Sequence, residues 1–366
     1  MKNFPRLASR LLALLVVVGG LGLSSCHKDD TTTVLGDWTK GNSFAGTARS
    51  NAVSFVINNV AYVGTGIDLS STKYKDLYSY NPASNTWTQL TPMPTAAAAR
   101  YNAVAFAAGG KGYVGTGIDV NGNYLNDFWQ FDPAVSTTTT TTTGTTTTTT
   151  TTTGSWKQVA SLPTNPGTTG RHSAIANSIS DVGYVGCGYD GNYEKDFYKY
   201  NPTTNTWSTF AGFPGDKRIG GTSFIINNQM YVCTGINNGA YTTDCWSYNP
   251  AGDAWTQHHN LANQTTGSDI YDYSAVARAY AVSFTLNNMG FVAVGSNSSV
   301  RTDCYVYDPT ADTWALKNPF LGAGRNNAVG FGINGLGYVG TGTAGSSSTS
   351  ARYDDFWKFS PDVAQE

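Results

Sequence analysis

Residues 49–87 read RSNAVSFVINNVAYVGTGIDLSSTKYKDLYSYNPASNTW, and the same pattern returns six times along the 366-residue chain. Within it, Ala52–Ile57 and Val60–Thr65 are apolar-rich runs joined by Asn58-Asn59. Asparagine tolerates the positive φ of a tight hairpin, so the two runs predict paired strands. Asp76-Leu-Tyr-Ser-Tyr80 predicts a third strand, because aromatic side chains suit a pleated surface. Asn81-Pro82 ends it, since proline cannot donate to a ladder. A short fourth strand carries Trp87. Each copy is one supersecondary unit, so copy number sets the fold.

The register is strict. The copies open at Arg49, Arg100, Arg171, Arg218, Arg278 and Arg325. Thirteen residues on stand Tyr62, Tyr113, Tyr184, Tyr231, Phe291 and Tyr338, and four further Gly66, Gly117, Gly188, Gly235, Gly295 and Gly342. Asp76, Asp127, Asp196, Asp244, Asp303 and Asp355 open the third strands, and Trp87, Trp156, Trp207, Trp255 and Trp314 close five copies. The sixth copy has no tryptophan, whereas Trp38 has no copy. Ten residues separate Trp38 from Arg49, as they separate Trp207 from Arg218, so the strand around Trp38 is expected to complete the sixth sheet. That closure leaves no open edge between sheets.

Across residues 38–362 the initial Arg, the aromatic-Val pair before the glycine, D-x-[YWC]-x-[YF]-[NDS]-P and the closing Trp resemble the Kelch family of β-propellers. The resemblance implies an all-β, six-bladed Kelch-type propeller with four-stranded blades, its ring closed by the N-terminal strand. One departure stands out. Kelch repeats usually end the second strand with Gly-Gly, whereas this chain has Gly-Thr-Gly, Gly-Cys-Gly, Cys-Thr-Gly or Ala-Val-Gly.

Ahead of the repeats, Lys2, Arg6 and Arg10 precede an apolar run from Leu11 to Leu23 that is too short for a spanning helix of about 20 residues. Residues 1–25 therefore read as a secretory signal. Leu23-Ser24-Ser25-Cys26 resembles a bacterial lipoprotein cleavage box, which makes Cys26 the lipid-bearing residue of a tether over 26–37. His27-Lys28-Asp29-Asp30 resembles the surface-export signal of some Gram-negative lipoproteins. The expectation is an exported, lipid-anchored monomer on the outer membrane, facing the cell surface. A net charge of −2 gives no case for nucleic acid. With 22 Tyr, 16 Phe and 9 Trp but 13% charged residues, aromatic stacking between blades can supply the core.

Two insertions interrupt the repeats. Thr137–Thr153, broken only by Gly144, lacks the apolar variety of a core and predicts a disordered or extended loop. Its hydroxyls are candidate acceptors for O-linked sugars, or the tract is a slipped coding repeat tolerated on an exposed loop. Residues 256–277 contain His258-His259 and Tyr271-Asp-Tyr273.

Alternating strand directions put the Trp-to-Arg and Gly-to-Asp loops on one face and the polythreonine insert on the other. The six arginines, the 256–277 loop and Asp68, Asp119 and Asp190 are then expected together. Arginine forks suit carboxylates, phosphates and acidic peptides or sugars, and arginines at this position line the ligand mouth in some Kelch propellers. A residue present in every copy equally suits a structural ion pair with a nearby aspartate. Candidate ligand-face residues are thus Arg49, Arg100, Arg171, Arg218, Arg278 and Arg325, with His172, His258, His259 and Tyr271 as the asymmetric set.

Catalysis is harder to build. The Kelch-bearing copper oxidases need two histidines and tyrosines around one metal, and adjacent His258-His259 side chains on an extended chain point apart. The run opening with Asp119-Val-Asn-Gly-Asn123 has Tyr124 where a calcium loop has its sixth-place glycine and Gln130 where it has its closing glutamate. No G-x-S-x-G, H-E-x-x-H or phosphate loop occurs. Neither a metal nor a cofactor is expected. The expected function is a non-catalytic binding module for a glycan or protein, with a carbohydrate-active enzyme, either sialic-acid mutarotase-like or galactose-oxidase-like, as the alternative. Cys187, Cys233, Cys245 and Cys304 lie in strands and suit small buried positions. Cys233 and Cys245 are equidistant from the hairpin tip near Gly239, and an exported compartment permits their disulfide.

Overall fold

The computed structural model describes residues 34–365. Six four-stranded antiparallel sheets form the blades of a propeller. Blade 1 comprises Val53–Ile57, Val60–Gly64, Leu77–Asn81 and Thr86–Gln89. The innermost strands of blades 2 to 6 are Val104–Ala108, Ile175–Ile179, Thr222–Ile226, Val282–Leu286 and Val329–Ile333. In blade 6 the outermost strand is Asp37–Lys40, paired with Phe356–Ser360 so that Trp38 faces Phe359. Its indole lies 4.6 Å from Phe359, as Trp87 lies 4.8 Å from Tyr80 and Trp207 4.9 Å from Tyr200. The Trp38 indole N–H donates to the Asn318 carbonyl of blade 5 at 3.1 Å. Gly36 N–H also donates to the Val363 carbonyl at 2.7 Å, so the closing contacts begin ahead of the strand.

The repeat landmarks have physical roles. Asn58 and Asn59 take φ of 50° and 61°, the left-handed pair a two-residue hairpin needs. Between four pairs of neighbouring blades, a phenylalanine of the inner strand lies where a Cβ on the next blade's glycine would stand: Phe55 on Gly112, Phe106 on Gly183, Phe224 on Gly290 and Phe284 on Gly337, while blade 1, which follows Phe331 of blade 6, has Ala61 at that place. Blade 3 breaks the rule with Asn177, and at the matching place in blade 4 the glycine is replaced by fully buried Met230. The residue before each repeat glycine is also left-handed: Thr65, Thr116, Cys187, Thr234, Val294 and Thr341 have φ of 53° to 60°. This is the place of the first glycine in Gly-Gly, so the sequence departure puts residues with a Cβ where the backbone is left-handed and favours glycine.

One expectation changes, and one open question is answered. Residues 137–153 do not form a disordered loop. The third and fourth strands of blade 2 run on as Phe128–Thr143 and Thr146–Val159, paired in register from Ser136↔Thr153 to Thr143↔Thr146. Threonine is β-branched and favours strands, and the flanking ladder fixes the hairpin before the tract begins. Cys233 and Cys245 are joined in a disulfide, with Cα atoms 4.4 Å apart, at the next cross-strand place after Val232↔Trp246. Cys187 and Cys304 are free and buried. Residues 1–33, on which the expected signal segment, Cys26 and the start of the expected tether fall, lie outside the described residues.

Candidate functional site

All six repeat arginines are buried, none more than 1% exposed. Arg49 forks onto Asp76 at 2.6 and 2.8 Å, and Arg100 onto Asp127 at 2.7 and 2.8 Å. The pattern repeats at Arg171–Asp196, Arg218–Asp244, Arg278–Asp303 and Arg325–Asp355. Each guanidinium also donates to the carbonyl of the left-handed residue before the repeat glycine, for example Arg100 to Thr116 at 3.2 Å. These arginines hold the face together from beneath. Their donors are engaged inside the protein, the structural arrangement that six identical copies also suggest.

Above them the chain builds two closed rings of hydrogen bonds. The repeat glycine N–H of each blade donates to the arginine carbonyl of the next, from Gly66 to Arg100 at 2.8 Å round to Gly342 to Arg49 at 2.8 Å. Nearer the axis, Asn102 N–H donates to Asn51, Ser173 to Asn102, Gly220 to Ser173, Tyr280 to Gly220, Asn327 to Tyr280 and Asn51 to Asn327, at 2.7 to 3.3 Å. All six residues are left-handed, with φ of 51° to 60°. This inner ring frames a mouth of about 160 Å³ that opens on a central channel of about 490 Å³ walled by the innermost strands.

The side chains around the mouth are not sixfold. Immediately outward, the bridged pairs are Ser50–Ile67, Tyr101–Ile118, His172–Tyr189, Ile219–Ile236, Ala279–Ser296 and Asn326–Thr343. Blades 2 and 3 thus carry a half-buried aromatic cluster. Tyr124 lies 4.8 Å from His172 and 6.1 Å from Tyr189, and Tyr189 lies 5.4 Å from Tyr193. Burial pushes the His172 imidazole down to about 4, so it is neutral at physiological pH. Across the ring Tyr280 covers Gly220 so closely that a Cβ there would stand 2.6 Å from its ring. Burial raises the Tyr280 phenol to about 12.

The other candidates go elsewhere. His258 packs 5.1 Å from Tyr231 and hydrogen-bonds Ser247 and the Tyr307 hydroxyl, at 2.8 and 3.1 Å. His259 meets the Asp312 carbonyl at 2.6 Å and Asp269 at 2.5 Å, while Tyr271 lies 4.6 Å from its ring. These three residues cluster where blade 4 meets blade 5 and line neither mouth nor channel. Their expected gathering at the ligand face is corrected: after its strand the loop crosses to the next blade's Asp312 turn before returning to Arg278. Asp119 accepts from Asn121 N–H, Asn123 N–H and the Asn123 amide at 2.8 to 2.9 Å, organising its own loop. Asp68 and Asp190 do likewise through Thr72 and Asn192. Among the described residues no group of three or more His, Cys, Asp or Glu side chains could hold a metal ion.

Of the sequence candidates, His172 alone joins the aromatic cluster. Tyr101, Tyr124, Tyr189, Tyr193 and Tyr280 escaped a search for residues common to all copies. The signal lies in the rows where copies differ: the second residue after each arginine is Asn, Asn, Ser, Gly, Tyr and Asn.

A β-propeller with arginine-aspartate forks under a ring-shaped mouth is the Kelch architecture. The family model of the KLHDC2/KLHL20/DRC7 Kelch-repeats domain matches residues 30–211 and 138–323, and the chain belongs to this Kelch-repeat family. It is also similar to the N-acetylneuraminate epimerase of Salmonella arizonae, 37% identical over 82 residues, which is 20% of this chain and 21% of that protein. The N-acetylneuraminate epimerase of Shigella sonnei is 32% identical over 117 residues, 30% of this chain and 31% of its own. The matched segments thus span less than a third of each relative.

Proposed function

We propose that this Kelch propeller is a non-catalytic, surface-anchored binding module whose ligand is a glycan held at the arginine-side mouth. The observation that carries the proposal is the aromatic cluster of Tyr124, His172, Tyr189 and Tyr193 beside that mouth, with Tyr101 next to it on the bridge to Ile118. Aromatic faces stack on the apolar faces of sugar rings, and a site made by residues unique to two blades can discriminate where six identical copies cannot. The anchor is Cys26 in its lipoprotein box, which puts the propeller outside the outer membrane. Cys26→Ser should release the protein from the membrane fraction or leave it unprocessed.

The experiment is glycan binding by the full chain in detergent, compared with Tyr101→Ser and Tyr189→Ile. These substitutions borrow Ser50 and Ile67 from the same places in blade 1, so the fold has a template for each. Binding by the parent and its loss in both variants, with unchanged melting, supports the proposal. Binding untouched by both moves the site elsewhere.

A second reading has one specific support, the similarity to N-acetylneuraminate epimerases. In it the mouth interconverts sugar anomers. Glu194, whose carboxyl is raised by burial and by Asp190, and neutral His172 would exchange the protons. Acceleration of N-acetylneuraminate anomer exchange by the full chain, followed by NMR, would establish this reading in place of the first.

A further inference from the structure

The polar groups at the mouth specify more than its position. Resting on the glycan-binding reading, we infer that the mouth takes the terminal residue of an uncharged glycan, stacked on Tyr280 and hydrogen-bonded by Asn51 and Asn102. Three observations converge.

The first is charge. The six arginines lie beneath the surface, each closed by its own aspartate. The inner ring of Asn51, Asn102, Ser173, Gly220, Tyr280 and Asn327 carries no charged side chain. Among the bridged pairs just outside it, the only titratable groups are Tyr101, Tyr189 and neutral His172. Cations come only one step further out, at Lys73, bridged to Ile67, and Arg352, bridged to Thr343. Arg352 already donates to Thr343 and to the Ser350 carbonyl, both at 2.7 Å. A carboxylate or sulfate entering the mouth would lose water without meeting a counter-charge, which is costly.

The second is unused hydrogen-bonding capacity. The Asn51 and Asn102 main chains belong to the inner ring, yet their side-chain amides have no partner within the described residues, and Asn51 Oδ1 is buried without one. The Asn102 amide offers two donors and an acceptor, and the Asn51 amide adds its two donors. That set matches hydroxyl or acetamido groups, which both give and take hydrogen bonds, better than an anion that only accepts.

The third is opposition. The amides belong to blades 1 and 2, and Tyr280 over Gly220 belongs to blades 4 and 5, across the sixfold ring. A sugar ring has one apolar face and a polar edge, and this mouth offers an aromatic wall opposite an amide bank. At about 160 Å³ the mouth is smaller than the roughly 300–1,000 Å³ of drug-sized pockets, so it admits the end of a glycan rather than its length.

The test applies the full chain in detergent to an array carrying neutral termini (galactose, glucose, mannose, N-acetylglucosamine) and acidic ones (N-acetylneuraminate, glucuronate, sulfated hexoses). Tyr280→Asn takes the residue of blades 1, 2 and 6, and Asn51→Ser that of blade 3, so both keep a side chain already left-handed in this ring. Binding confined to neutral termini and weakened about tenfold by either substitution, at unchanged melting temperature, supports the inference. Binding only to acidic termini overturns it while leaving the glycan-binding reading intact. Neutral binding indifferent to both substitutions overturns the assigned site. Binding to no glycan overturns the reading on which the inference rests.

Discussion

At the residue scale, the decisive group is an arginine that never meets solvent. Arg100 is fully buried, and its fork onto Asp127 and its bond to the Thr116 carbonyl tie the start of the first strand to the end of the second and the opening of the third. Burial raises the Asp127 carboxyl, but the Arg100 fork and the Trp129 indole outweigh it and hold the group below the usual carboxylate range. Asp303 and Asp355 are lowered against the same effect of burial, Asp303 by Arg301 and then Arg278, and Asp355 by Arg325 with help from Trp357. A carboxylate lowered on folding contributes stability above its unfolded value, near 4, and loses it as pH falls through the folded value. Calorimetry should therefore show a melting temperature flat above about pH 5 and falling steeply below about pH 4. Asp127→Asn leaves a buried cation without its counter-charge and should cost about 3–5 kcal/mol at pH 7. An unchanged melting temperature would mean that the fork contributes little.

At the scale of the element, the exchange between Asn177 and Met230 is the sharpest case. In four of the other five blade pairs a phenylalanine lies over the next blade's glycine. Here a short polar side chain, whose amide donates to Ser223 at 3.2 Å, is matched by a long apolar one. Met230→Gly should open a cavity at a cost of about 2–5 kcal/mol, and Asn177→Phe should overpack by about 1–3 kcal/mol. The double variant recreates the arrangement found in four other blade pairs and should recover most of both losses in urea unfolding. Additive losses would show that the two side chains do not share one space.

The polythreonine ribbon teaches the opposite lesson about what a sequence displays. Composition alone says that such a tract cannot form a core, and the ribbon has none: residues 140–151 are exposed throughout. What composition does not display is that two strands already in register enter the tract from either end. Thr138–Thr151 and Thr140–Thr149 hydroxyls then pair across the ribbon, at 3.1 and 3.3 Å. The strands, the hairpin asparagines and the Trp38 closure were legible because each rests on local chemistry repeated in register. The mouth was not, because landmark residues common to all copies maintain the fold, whereas the glycan-binding proposal rests on the residues that vary between them. The histidines of 256–277 were misplaced because a loop's path after its strand depends on the neighbouring blade, here through Asp312.

At the scale of the whole molecule, the ring among the described residues is closed by no covalent bond and mainly by one four-residue strand, Asp37–Lys40, with flanking bonds from Gly36 and Phe44. Deleting residues 34–45 strips Trp38 and Phe44 from the core and exposes Phe356–Ser360 as an unpaired edge. Thermal unfolding should then begin many degrees lower. Deleting 137–153 should shift melting by only a few degrees, since the ribbon adds no buried apolar surface and loop closure depends weakly on length. Equal melting temperatures for the two deletions would contradict closure by this strand.

The same closed ring gives the propeller two unlike faces, and the account gives the ligand to one of them. Hydrogen–deuterium exchange of the full chain, with and without the neutral glycan that binds most tightly, measures this directly. Protection should concentrate around Asn51, Tyr101–Asn102, His172–Ser173, Tyr189 and Tyr280 and leave residues 137–153 unchanged. Protection of the ribbon and the turns on its side, with the arginine-side mouth exchanging as before, would contradict the account.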